Sequence, residues 1–157
     1  MPVDPRFYAP LGALTLGDLA SITGADLKGD PATHISGISP ASSGSRGDIG
    51  FLDGNGNAAV EVSPDISALF VNDANVKHVP DGISYLVTPL PRYAHSMAGF
   101  RMFRPRHHDW DSEERISSLA AIHDSARIAP SATIGPGAAI GEATVIGANA
   151  VIGPGVQ

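Results

Sequence analysis

Isoleucine returns at every sixth position near the end of the chain, at Ile122, Ile128, Ile134, Ile140, Ile146 and Ile152. A helix needs apolar recurrences at three and four residues, so this period excludes one. A plain strand of period two would not hold Gly and Pro at a fixed phase. Written in sixes, the segment reads IHDSAR, IAPSAT, IGPGAA, IGEATV, IGANAV, IGPGVQ. The second position is Gly four times and Pro recurs at the third, residues suited to a corner. The fifth positions are Ala126, Ala132, Ala138, Thr144, Ala150 and Val156, each two residues before the next unit's first position. Residues two apart on a strand share a face, so the small side chain and the isoleucine point the same way. Three such sides close a triangular coil whose axis is filled by stacked isoleucines, a hexapeptide solenoid of the parallel β-helix kind.

The sixth positions, Arg127, Thr133, Ala139, Val145, Val151 and Gln157, face outward on flat walls. Val145 and Val151 there are either ordinary exposed valines or part of a wall that packs against a neighbouring subunit. Residues 122–157 make only two coils, and the final GVQ offers no cap for the exposed strand edge. The sequence therefore reads as a truncated piece of a longer protein.

The residues before the hexads follow other rules. TLGDLASITG places Thr15 as N-cap with Asp18 three positions on. Leu16, Leu19 and Ile22 then share one face, and Gly24 stops the helix. The apolar runs ISGIS, DIGFL, ISALFV and ISYLVT, separated by Gly/Pro/Asn/Asp clusters, read as strands. PRYAHSMAGFRMF reads as a helix with Pro91 in its first turn. The expected fold is a small α/β (α+β) domain over residues 1–103, a linker over 104–121, and the start of a β-helix over 122–157.

Composition narrows the function classes. The chain has 157 residues, 43% of them hydrophobic and only 17% charged, which suits a folded, turn-rich protein. The net charge of -6 with no Lys/Arg-rich block argues against nucleic acid. There is no cysteine, so disulfides and Cys-based zinc sites are excluded. The start, MPVDPRFYAP, has no basic n-region or apolar run, and no stretch is long enough to span a bilayer. A cytoplasmic location is expected.

Several motifs invite chemistry. GNGNAA (54–59) mimics a dinucleotide fingerprint after a strand, with Asp73 at a plausible distance. The following NAAVEVSPD carries Ser63 and Pro64 and is too short for the helix that holds a pyrophosphate, so a Gly/Asn loop is expected. His107, His108 and Asp109 are adjacent and diverge, as in a solvated linker rather than a metal site. His123 falls at a corner of the first hexad, and His95 stands alone on the second helix. Arg101, Arg104 and Arg106 form a basic cluster for a phosphate, an acidic partner or simply solvent.

In order and spacing, LGDLASITGADLKGD, ISGISPASSGSRGDIGFL, ISALFV, LVTPLPRYAHSMA and the hexads resemble UDP-3-O-acylglucosamine N-acyltransferase of lipid A synthesis. The resemblance covers nearly all of the chain. It implies a homotrimer built on left-handed β-helices, with the N-terminal domain contacting the uridine of a UDP-glucosamine derivative between two aromatic rings. It also implies transfer of a 3-hydroxyacyl group from the phosphopantetheine thioester of acyl carrier protein to the 2-amino group, with no bound cofactor and no metal.

The family motif Phe-x-x-Asn-x-x-Tyr meets Phe51, Gly54 and Asn57 here, with Asn55 one place from the Asn position. The resemblance thus points to Phe51, Asn55 and Asn57 for uridine, while Phe51 reads equally as an apolar strand residue filling the core. The reaction needs a base for the attacking amine and a donor for the oxyanion. The family's catalytic histidine lies on a coil beyond the two present, and none of the six histidines matches it. This chain alone is expected to be inactive. Two alternatives stay open: a non-catalytic trimeric scaffold, and a hexapeptide acyltransferase for another sugar or amine.

Overall fold

The computed structural model describes residues 3–56, 61–106 and 114–157. They fall into two compact units, one built on Pro10–Phe103 and one on Asp4–Ala9 with Arg104–Gln157.

Chain order begins with β1 (Tyr8–Pro10), β2 (Leu14–Thr15) and α1 (Leu16–Thr23). Thr15 caps α1: its hydroxyl accepts the Asp18 N–H at 3.1 Å, and the Asp18 carboxylate accepts the Thr15 N–H at 2.9 Å. This reciprocal pair satisfies two donors that the first turn would otherwise leave orphaned. Gly24, left-handed at φ 67, closes the helix as expected. Next come β3 (Asp26–Lys28), β4 (His34–Ile35), β5 (Gly37–Ile38), β6 (Asp48–Leu52) and β7 (Ala68–Val71). A 3-10 helix (Asp73–His78), β8 (Ser84–Val87), α2 (Pro91–Met102) and β9 (Phe103–Pro105) follow. Pro91 sits in the first turn of α2, where its missing N–H costs nothing.

Five strands form one sheet in the order β3-β8-β7-β6-β5, with β3 antiparallel to β8 and the other pairs parallel. β2 pairs β4 antiparallel, and β1 pairs β9. β7 is the middle strand, and all four of its residues are buried because both faces are covered. Ala68 and Phe70 join Ile49, Leu86 and the helix residues Leu16, Leu19, Ala94, Ala98 and Met102 on one side. Leu69 and Val71 join Leu52, Ile66 and Ala41 on the other. The period-two alternation of a strand thus divides one short apolar run between two cores.

The second unit holds the hexads. β10 (Ala121–Ile122), β11 (Arg127–Ile128) and β12 (Thr133–Ile134) each pair in parallel with a strand one coil later. Their partners are β13 (Ala139–Ile140), β14 (Val145–Ile146) and β15 (Val151–Ile152), in register Ile122↔Ile140, Ile128↔Ile146 and Ile134↔Ile152. Three hexads therefore make one coil, as the three-sided reading requires. Ile134, Ala138 and Ile140 form the buried centre, with Ile122, Ile128, Ile146 and Ile152 packed on it.

Two features differ from the sequence reading. The coil is entered before residue 122: Ile116 bridges Ile134 in parallel, and the Ser117 N–H donates to the Ile134 carbonyl at 2.9 Å. Ile116 lies one hexad before Ile122, and ISSLAA, like IHDSAR, has no corner Gly or Pro. It carries Leu119 where the other units have Ser, Gly, Ala or Asn, so the expected linker over 104–121 includes coil. Phe103–Pro105 within the expected boundary is strand rather than loose connector, paired with β1. Among the described residues, no helix is long and apolar enough to cross a membrane.

Candidate functional site

Parallel strands β6 and β7 bring their carboxyl ends together, the position where open α/β sheets usually bind ligands. Phe51, paired with Phe70 on β7, lies near this edge and is half-buried. Alternation puts it on the face of Ile49, against the cluster that α1 and α2 cover. Phe51 therefore packs on the core and still reaches the surface.

Two residues of α2 meet its ring. The His95 imidazole centroid is 5.0 Å away with the planes tilted by 51°. The Arg92 guanidinium carbon is 5.5 Å from the Phe51 centroid. Residues three apart share a helix face, so Arg92 and His95 reach Phe51 from adjacent turns. Arg92 also pairs with Asp53, Nε to Oδ2, at 3.3 Å. Asp53 lies two residues beyond Phe51. That pair is exposed and contributes little to stability, but it holds the guanidinium over the Phe51 ring. A cation in the first turn of a helix opposes the macrodipole, and the Asp53 carboxylate offsets that.

His95, isolated in the sequence, has a defined place. Its Nε2 lies 3.2 Å from the Ile49 carbonyl, to which a protonated nitrogen donates. Burial pushes its pKa below the usual histidine value, opposed by the backbone carbonyls of Ile49 and Ser39. The neutral imidazole is the form this setting favours.

The loop after β6 is fastened to the 3-10 helix after β7. Asn72 and Asn75 both donate from Nδ2 to the Gly54 carbonyl, at 2.8 and 3.2 Å. Asn75 is buried and also donates to Asn72 Oδ1 at 2.7 Å, while His78 Nε2 lies 2.9 Å from the Gly56 carbonyl. None of these polar residues stood out in the sequence. An N-cap signal at Asn72, three residues before Asn75, was available, but nothing local says that both would reach a carbonyl 18 and 21 positions upstream.

Of the residues suggested for uridine, Phe51 is placed as described. Asn55 lies in the exposed loop between Gly54 and Gly56, and Asn57 falls outside the described residues. The GNGNAA stretch begins as the expected loop, with Gly54 and Gly56 at φ 98 and 71, and Asp73 opens the 3-10 helix. His107, His108 and Asp109 also fall outside the described residues. His123 is an exposed corner whose Nδ1 accepts the Ser125 N–H at 3.2 Å. Arg101 is exposed in the last turn of α2, and Arg106 is engaged by the backbone, its Nε donating to the Pro5 carbonyl at 2.8 Å. Among the described residues, no three His, Asp or Glu side chains converge to hold a metal ion.

Residues 120–156 match the family described as bacterial transferase hexapeptide (six repeats). Over 109 residues the chain is 33% identical to a UDP-3-O-acylglucosamine N-acyltransferase of Caulobacter sp. (strain K31), covering 68% of this chain and 32% of that protein. Over 91 residues it is 31% identical to a protein of the same name from Granulibacter bethesdensis, covering 58% of this chain and 27% of that one. The chain thus spans about a third of the length of the curated relatives it matches. The resemblance read from the sequence blocks is a real sequence similarity, and it reaches well beyond the hexads.

Proposed function

We propose that this chain supplies the nucleotide-sugar recognition domain and first coils of an N-acyltransferase acting on UDP-3-O-acylglucosamine. The observation that carries this reading is the 109-residue likeness, far longer than the repeat segment at 120–156. Hexads alone would fit many transferases; the preceding α/β unit narrows the choice.

In the proposed reaction the glucosamine 2-amino nitrogen attacks the thioester carbonyl of a 3-hydroxyacyl group on acyl carrier protein. The C–N bond forms, the C–S bond breaks, and the phosphopantetheine thiol leaves with a proton. A base must take the proton from the amine, and a donor must meet the oxyanion. We assign neither role to a residue of this chain. Its part is binding through the Phe51 edge, and assembly as a trimer through the left-handed coil's walls, where Val145 and Val151 are 71% and 68% exposed.

The test has two arms. UDP-N-acetylglucosamine should shift the NMR signals of Phe51 and its neighbours, whereas the chain alone should show no turnover with acyl carrier protein thioester and the acylated nucleotide sugar. Turnover would overturn the expectation that this chain alone is inactive. Absence of binding up to millimolar ligand would favour a second reading, a non-catalytic scaffold. One observation favours that reading: among the described residues, the ring beside Phe51 is the His95 imidazole rather than a second carbocycle.

A further inference from the structure

The carboxyl edge of β6 holds an aromatic ring whose orientation is set from α2. His95 touches that ring, and its Nε2 reaches the Ile49 carbonyl at 3.2 Å, two residues before Phe51 on the same strand. One imidazole therefore spans the backbone and the side chain of a single strand. The hydrogen bond fixes the height and tilt of the imidazole, and the 5.0 Å ring contact passes that constraint to Phe51. Neighbouring Ala94 and Ala98 are buried in the core, so α2 cannot slide to release the contact.

We propose that His95 is a positioning residue: it sets the Phe51 ring as a platform on which the planar base of a nucleotide stacks. The ligand class rests on the function proposed above; the positioning does not. The neutral imidazole donates Nε2–H to Ile49 and leaves Nδ1 unprotonated. A second proton places a cation at a buried position, favoured by the Ile49 and Ser39 carbonyls but opposed by desolvation, and so changes the imidazole's contact with the ring.

The elements packed against α2 are α1, β5, β6 and β7. β5 and β7 carry no charged residue, β6 carries Asp48 at its start with Asp53 just past its end, and α1 carries Asp18, bound to Thr15. On α2 itself the charges are Arg92 and Arg101. Asp18 is held at the α1 cap, Asp48 accepts the Ser45 N–H at 3.0 Å and Asp53 pairs with Arg92. All three carboxylates are thus engaged elsewhere, and the groups that meet the imidazole are the Ile49 and Ser39 carbonyls.

The experiment uses the whole chain with labelled Phe and His side chains, observed by NMR across pH with and without UDP-N-acetylglucosamine. In the wild type, the Phe51 ring signals should move with the same midpoint as the His95 imidazole. In His95→Gln, whose neutral amide can still donate to Ile49, the Phe51 signals should lose that pH dependence and nucleotide affinity should stay near the wild-type value. In His95→Leu they should be displaced at every pH, with nucleotide affinity down roughly tenfold, the scale of one stacking contact. Phe51 signals that ignore the His95 titration, or that keep their pH dependence in His95→Gln, overturn the proposal. If Phe51 follows His95 but no nucleotide binds, the positioning holds and the nucleotide reading falls. If nucleotide binds with the same pH profile in wild type and His95→Gln, the reverse holds. Should His95→Leu fail to fold, the comparison of wild type with His95→Gln decides.

Discussion

The Ser131 hydroxyl accepts the backbone N–H of Asn149, 18 residues later and one coil on, at 3.1 Å. Ser125 does the same for Ala143 at 2.9 Å. Both upper-coil residues are left-handed, with φ 59 at Asn149 and 55 at Ala143. The same fourth position is Gly in two other hexads, Gly137 and Gly155. Asn tolerates this conformation and Ala does not, so the corner at Ala143 stores strain. Replacing Ala143 with Gly should stabilise the coil by about 1 kcal/mol, the left-handed penalty less the entropy that Gly adds to the unfolded chain. Asn149→Gly should change little. Urea unfolding of the three proteins compares them directly, and a destabilised Ala143→Gly would contradict this account of the corner.

Ile134 is fully buried at the middle of the coil stack, whereas Val145 is 71% exposed. Ile134→Ala removes buried methyls and leaves a cavity, which should cost about 2–5 kcal/mol. Val145→Ala should fall within about 0.5 kcal/mol in the monomer. Amide exchange at Gly135, whose N–H donates to the Ile152 carbonyl at 2.8 Å, should accelerate in the first variant only.

Gly56 combines φ 71 with a tight fit: a Cβ there would run into the Ala74 carbonyl. At Gly54, also at a positive φ (98) that most residues avoid, a Cβ would meet open space. Gly56→Ala should therefore cost at least about 2 kcal/mol and move the loop after β6. Gly54→Ala should cost about 1–2 kcal/mol from backbone strain alone. The side-chain amide signals of Asn72 and Asn75, both bonded to the Gly54 carbonyl, report the loop: they should shift strongly in Gly56→Ala and modestly in Gly54→Ala.

The lowered His95 pKa predicts a direction for acid stability. The unfolded histidine binds its proton near 6.5, above the folded value, so between the two the unfolded state holds more protons. Stability is then complete above about pH 6.5 and is lost as pH falls from there through the folded pKa. Urea melts of the first unit at about pH 7.5 and about pH 5 should differ in the wild type, and His95→Gln should remove part of the difference. Asp18 acts later in the same direction. Thr15 hydrogen bonds lower its pKa from 3.8, so its contribution is present above that value and lost as pH falls through the folded one.

Much of this architecture was legible because it rests on local, repeating chemistry. The hexad period predicted strands that pair one coil apart, with the isoleucines inward and Val145 and Val151 outward, because strand alternation and a three-sided coil leave no other consistent phase. Thr15, Asp18 and Gly24 announced α1, since a cap is a contact between near neighbours. Ile116 escaped because its hexad carries Leu119 at the fourth-position corner, and pairing with Ile134 is a long-range event.

The candidate site was far less legible. Phe51 came from a resemblance, and its neighbours came only from folding. Arg92 and His95 lie some forty positions along the chain from Phe51, and they meet it because α2 packs across the parallel strands. By itself the sequence determined where the backbone turns, where helices begin, and which side chains of the hexads point to a common axis, since those outcomes follow from neighbours within a few residues. Only the tertiary structure decided that an isolated histidine sits against a phenylalanine and that two asparagines hold one distant carbonyl, because such contacts arise when crossover connections bring separate strand ends together.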